Sequence, residues 1–423
     1  PEQTFAYGAS ALGGQDPDAP NDHWVVVDLD GVDILNVDFG FSYEAVVNEN
    51  PSGQGSLEQA IINANLLAGG NTIVFASPLG SYTITPGAGG FSAISDAETT
   101  IDGTMTTVTL DGSGLGAIDG LSIQATDVTI QGLTVRDFGG SGIYVGGAAD
   151  NAAIQDCTIS LNYTSGIWID AADDVYITGC TLENNVGLPQ ASRGQIEIRG
   201  ASADGTIEGC VVANNPAING AGADGIRFDW TDASGWLVQD NEIYGHANSS
   251  SNEGIIVRGD DHQIIANISH NNWTGITVAE SASDGNLISQ NSIYSNTGLG
   301  IDLSGCPGTT PNECLVSPEL SPLAARIVRA TFPPGGGPSR TVEFFLSEHL
   351  DAAGGEGEMF CFAVADGDSN DLAPMMGTIR VDLDDPDIIA GPCGTIGTGT
   401  SLTATLIDSF NNTSAFAADI AAP

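Results

Sequence analysis

A short motif, glycine followed by apolar–x–apolar, recurs through the middle of the chain, and its x positions carry the residues best suited to chemistry. They read Tyr144, Trp168, Glu197, Arg227, Ile256 and Thr277. Two residues beyond the middle four stand Asp170, Arg199, Asp229 and Arg258. If each motif is a strand, alternation puts all of them on one outer face. Two carboxylates at a suitable separation are the minimum for glycoside hydrolysis. Asp170, Glu197 and Asp229 are therefore the candidate catalytic residues of a glycan-cleaving reading. Aromatic faces suit sugar rings, so Tyr144, Trp168, Arg199, Arg227 and Arg258 are the candidate carbohydrate-binding residues. A lyase needs a base to take a proton beside a uronate. The chain has no lysine, and Arg199, Arg227 or Arg258 would serve only if strongly perturbed. The plainer reading is a ladder of ion pairs on a polar sheet face. No HExxH, nucleophile elbow or His-centred triad occurs, so the sequence reads as a scaffold before it reads as an enzyme.

Two further sets of residues have chemical potential. Asp366, Asp368, Asn370 and Asp371 alternate oxygen ligands in the manner of a calcium loop, without its sixth-place glycine or twelfth-place glutamate. Asp16, Asp18 and Asp22, and Asp384, Asp385 and Asp387, are weaker versions. Of the 7 cysteines, Cys306 with Cys314 and Cys361 with Cys393 read as disulfides, which implies an oxidising compartment. Cys157, Cys180 and Cys210 fall at one place in the repeat and read as a small apolar stack, with pairing of two of them left open. Sequons at Asn162, Asn248, Asn272 and Asn411 arise readily in an Asn-rich repeat.

The elements that must position these residues follow from two coincident periods. The Gly–apolar–x–apolar strands begin at Gly120, Gly142, Gly166, Gly225, Gly254, Gly275 and Gly300, with a degenerate copy at Gln195–Ile198. After each comes a second strand with the core apolar–x–x–Cys/Asn–x–apolar, as in Ile154 to Ile159 and Val238 to Ile243. In register one position reads Leu133, Cys157, Cys180, Cys210, Asn241, Asn267, Asn291, and a later one Asn162, Asn185, Asn215, His246, Asn271, Asn296. A period of two within strands and about 25 between them predicts an all-β, right-handed parallel β-helix. Stacked Asn amides can satisfy one another from coil to coil. Residues 56–68 predict the one amphipathic helix, with Ser56 and Gln59 at capping-box spacing, covering the N-terminal end. Residues 44–316 would supply about eleven coils and a rod of about 50 Å.

The stretch from Val46-Val47-Asn48 through Gly55-Ser56-Leu57, Ala60-Ile61 and Asn71-Thr72-Ile73-Val74-Phe75 resembles the opening of large secreted bacterial surface proteins with parallel β-helix repeats. Gly300-Ile301-Asp302-Leu303, Thr341–Phe345 and Asn411–Ser414 extend the likeness over most of the chain. It implies the β-helix, a C-terminal immunoglobulin-like β-sandwich and a place outside the cell or on its surface. It implies no particular activity.

The ends complete the division. Residues 317–423 hold six strand candidates, 324–331, 341–346, 359–364, 376–383, 401–407 and 413–418, a sandwich pattern. In residues 1–43, His23–Asp28 and Val32–Phe41 read as strands, but so short a segment cannot bury a core alone. They would extend the first coils or complete a sheet in a neighbouring copy, making a head-to-tail homopolymer. The chain opens at Pro1, which reads as a mature, processed form. With 54 acidic residues against 9 basic ones, nucleic acid and anionic membranes are excluded as partners, and no apolar run is long enough to insert in a bilayer. Two functions are thus carried forward. One is an extracellular structural subunit of a filament or surface layer held by strand addition, with calcium as a candidate ion. The other is a polysaccharide-binding or polysaccharide-degrading β-helix.

Overall fold

The structure is a computed structural model. It describes residues 44–76, 80–187, 193–215, 223–229, 232–247, 252–280, 283–308, 310–333, 339–347, 355–373 and 376–423, with the backbone of four short strands in residues 1–43. Parallel strands stack into three sheets of 8, 10 and 9 members, the sheets of a β-helix. The first sheet runs from Leu121–Ile123 to Ile301–Leu303, the second from Ala45–Val46 to Leu287–Ser289, the third from Ser81–Ile84 to Ser292–Tyr294. The solenoid therefore has fewer coils than the eleven expected. Its middle coils are long, and the first coils contribute only the isolated bridge of Ile94 to the first sheet.

Alternation within strands builds the core. Ile143, Val145, Ile167, Ile169, Ile196 and Ile198 are fully buried, and the same positions repeat along the axis. Between the second and third sheets seven successive coils bend through one left-handed residue each: Gly132, Asp156, Gly179, Gly209, Asp240, Ala266 and Gln290 all have positive φ. One such residue redirects the chain without a long loop.

The Asn row follows immediately. Asn267 Oδ1 accepts from Asn241 N (3.0 Å) and Asn241 Nδ2 (2.9 Å), while Asn267 Nδ2 donates to Val238 O (2.8 Å) and Asn291 Oδ1 (3.0 Å). The cysteines continue this ladder with thiols. Cys180 Sγ donates to Ile154 O (3.5 Å), and Cys210 Sγ accepts from Cys180 N (3.4 Å). All three are free and buried. A second ladder joins Asn162 to Asn185 and Gln195, and another joins His246 to Asn272 and Asn296. The expected Asn271 is one residue off and Asn215 is exposed. In that coil Ser269 fills the inward position and Ile268 is 40% exposed, because Asn267 fixes the register.

Both ends are closed. Helix α1 (Leu57–Leu66) buries Leu57, Ala60, Ile61 and Ala64 against the N-terminal coil. Ser56 Oγ accepts from Gln59 N (3.1 Å), but the Gln59 amide turns to Asn63 Oδ1 (3.0 Å), so only half of the capping box forms. At the other end stand two antiparallel sheets of three and four strands around a second core. Their side chains finish the ladders: Glu356 accepts from Asn296 N, Glu343 from Ser289 and Gln290, Thr413 from Ile288 N and Asn412 from Gly285 N. That engagement explains why 413–418 is not the expected strand. Residues 412 and 413 turn toward the last coil, and strands Glu319–Pro322 and Ile420–Ala421 join the sheets instead. In the N-terminal segment Thr4–Tyr7 pairs with Asp38–Phe41 and Gln15–Asp16 with Ala19–His23. The remainder of the two expected strands, 24–28 and 32–37, lies outside the described residues.

Candidate functional site

The outer face of the first sheet gathers the predicted residues. Parallel register places Tyr144 beside Trp168, Trp168 beside Glu197, Glu197 beside Arg227, and Asp170 beside Arg199. Their inward neighbours are core isoleucines, so each outward side chain stands on a rigid strand.

Tyr144 and Trp168 meet edge to face, ring centroids 5.8 Å apart. Tyr144 Oη donates to Asp170 Oδ2 (3.1 Å). The guanidiniums of Arg193 and Arg199 lie 4.9 and 5.6 Å from the centre of the Trp168 ring. Glu197 is 1% exposed, bonded to Arg193 (2.8 Å) and Ser165 Oγ (3.2 Å), with Arg199 at 3.6 Å. Burial pushes its carboxyl above the ordinary range, against the pull of Arg193.

Asp229 is the hub. Its Oδ1 accepts from Arg227 Nε (2.9 Å) and Nη2 (2.7 Å), with Arg258 at 3.4 Å, and its Oδ2 faces Arg199 at 3.3 Å. Arg227 also holds Asp224 (2.7 Å), and Arg258 reaches Glu280 (3.5 Å). Asp224 is fully buried and accepts from Glu253 N (3.1 Å). Burial pushes its carboxyl up to about 7; Arg227 opposes this and the Glu253 carboxylate reinforces it.

The structure thus brings Glu197 and Asp229 together through Arg199, while Asp170 stands apart on Tyr144. A general acid must hold its proton and reach the substrate. Glu197 and Asp224, the raised carboxyls of this cluster, are buried beneath arginines. Arg199, Arg227 and Arg258 are all ion-paired, and Arg227 is held further from the neutral form a base would need, chiefly by Asp224 against the effect of burial. The face offers hydrogen-bonding groups and aromatic surface. Arg193, Asp224, Glu253 and Glu280 were not among the predicted residues. They lie outside the x positions: Arg193 and Asp224 join from just before the x residues of their own coils, and Glu253 and Glu280 through the stacking of coils.

The other candidates have local roles. Asp371 accepts from Gly367 N, Ala373 N and Arg380 N, and Asp366 from Gly377 N. Asp385 caps the short helix Pro386–Ile389, and Asp384 pairs with Arg326. Among the described residues no three His, Cys, Asp or Glu side chains converge to hold a metal ion. Cys306 is bonded to Cys314 and Cys361 to Cys393. The sequon residues Asn162 and Asn272 are buried ladder members.

A family model described as the right handed beta helix region matches residues 81–229. Among solved structures, the chain is similar to a protein of Geobacillus virus E2, ORF18, at 13% identity and a TM-score of 0.48, covering 76% of each chain. It is similar to the pectate lyase Pel9A at 15% identity and a TM-score of 0.43, covering 63% of this chain and 74% of that one. A rhamnogalacturonan lyase matches at 11% identity and a TM-score of 0.46, over 59% and 73%.

Proposed function

We propose that the protein binds a polysaccharide laid along the rod on the outer face of its first sheet, in the region of Tyr144, Trp168, Asp170, Arg199, Asp229 and Arg258. The observation that carries this reading is concentration. Four of the chain's nine arginines, Arg193, Arg199, Arg227 and Arg258, meet an aromatic pair and acidic partners on this one face. Fixed planar donors and acceptors beside aromatic surface are what sugar hydroxyls and ring faces need. Successive coils repeat such groups about every 4.8 Å along the axis, which favours a polymer over a single sugar. Binding fits better than cleavage, because the raised carboxyls among the arginines, Glu197 and Asp224, do not reach the surface. The two disulfides support a site of action outside the cell. The filament reading called on unpaired N-terminal strands, and the described ones pair with each other.

The test is co-sedimentation and calorimetry of the full chain against a panel of polysaccharides, with reducing-end and unsaturated-uronate assays alongside. Binding of at least one polymer, weakened about tenfold or more by Trp168→Ala, is expected without turnover. Failure to bind any polymer, or undiminished binding by the variant, would refute the proposal.

A further inference from the structure

The guanidinium cluster on this face already contains a carboxylate. Arg199, Arg227 and Arg258 come from three successive strands of the first sheet and converge on Asp229 at 3.3, 2.7 and 3.4 Å. The remaining arginine, Arg193, is taken by Glu197 at 2.8 Å. Around them stand Asp170, Asp224, Glu253 and Glu280, so acidic groups on the face outnumber the arginines. The chain as a whole carries a formal charge of −45. An acidic polymer approaching this face meets a repulsive field and guanidiniums that are already paired. A neutral polymer meets the unused lone pairs and N–H groups of the same side chains and loses little to repulsion.

We infer that Asp229 makes this face selective for uncharged glycans, by filling with its own carboxylate the place among Arg199, Arg227 and Arg258 that an acidic sugar would occupy. This inference rests on the polysaccharide-binding reading and deepens it. Asp229 is central because, among the described residues, it alone touches three of the arginines; Glu197, Asp224 and Glu280 each hold one or two. Its side chain is 21% exposed, so the position opens to solvent.

The experiment compares wild type, Asp229→Ala and Asp229→Asn against neutral polysaccharides and against polygalacturonate and alginate, at low and high salt. Wild type is expected to bind a neutral polymer and neither acidic probe. Asp229→Ala, by removing the carboxylate that Arg199, Arg227 and Arg258 share and leaving each with one acidic partner, is expected to gain about ten- to a hundredfold in affinity for an acidic probe, and to lose that gain at high salt. Asp229→Asn keeps the shape and removes the charge, so it should gain in the same direction even if the alanine variant folds poorly. Wild-type binding of polygalacturonate or alginate as tight as that of any neutral polymer overturns this inference and leaves the binding reading standing. So does the absence of a gain in both variants. Binding of no polymer by wild type overturns both.

Discussion

Replacing Asn267 with alanine tests what holds the coils together. The side chain is fully buried and makes four hydrogen bonds, two accepted from Asn241 and one donated to each of Val238 and Asn291. Its removal strands the Asn241 N–H in the interior, leaves the Val238 carbonyl with its sheet partner alone, and opens a small cavity. An orphaned group costs about 1–3 kcal/mol. Partial relaxation makes a total loss of about 3–5 kcal/mol the expected value. The matched control is Cys180→Ala in the same row. Its thiol contacts are longer, 3.5 Å to both Ile154 O and Thr178 O, so the loss should be nearer the ~1 kcal/mol of removing one buried heavy atom. Cys180→Asn should cost little or stabilise, because the amide restores the stronger ladder. Urea unfolding gives the global difference. Hydrogen exchange at the Asn241 amide gives the local one, and should accelerate in Asn267→Ala before the rest of the rod responds. Equal losses from Asn267→Ala and Cys180→Ala would show that the amide row is packing and not a hydrogen-bonded spine.

Other expectations follow from the same structure. Asp224 is raised to about 7, so the folded state binds its proton more tightly than the unfolded chain and stability falls as pH rises from about 4 toward 7. Melting at pH 5 and pH 8 should show a smaller difference in Asp224→Asn than in wild type. His262 is lowered to about 4 by burial, so its contribution is lost as pH falls from about 6.5 through 4. His262→Asn, which keeps an acceptor for Trp236 N, should flatten that acid limb in the same melts. Ser56→Ala removes the acceptor of the Gln59 N–H and should cost about 1 kcal/mol at the N-terminal cap, read as faster exchange in α1. Glu343→Ala should loosen the C-terminal sheets from the last coil, seen as protease cleavage between them, because Ser289 and Gln290 lose their shared acceptor.

What was legible in the sequence is what every coil must repeat with the same residue type. Ile167 or Ile226 must be apolar because each faces the core, and from Cys157 on the ladder position carries Cys or Asn, of which Asn241 supplies a buried acceptor to the backbone N–H of Cys210. The left-handed turns were invisible for the opposite reason. Gly179, Asp240, Ala266 and Gln290 all fill one turn position, so the bend is imposed by the strands on either side more than by the residue within it. The displacement from Asn271 to Asn272 has the same origin: a local pattern can slip by one, but Asn272 must accept from His246 N and so cannot. The site divides along this line too. Tyr144, Trp168, Glu197 and Arg227 could be read as one outward row, because alternation alone puts them there. That Arg199, Asp229 and Arg258 would neighbour one another could be read as well, as the ion-pair ladder of the positions two residues on; that Arg227 would close on Asp229 and Asp224 along its own strand could not, because alternation fixes the face of a long side chain and not its bend. Selectivity at Asp229 is therefore a property of register. A slip of one residue in the strand Asp224–Phe228 would turn Arg227 and Asp229 away from this face and dissolve the cluster.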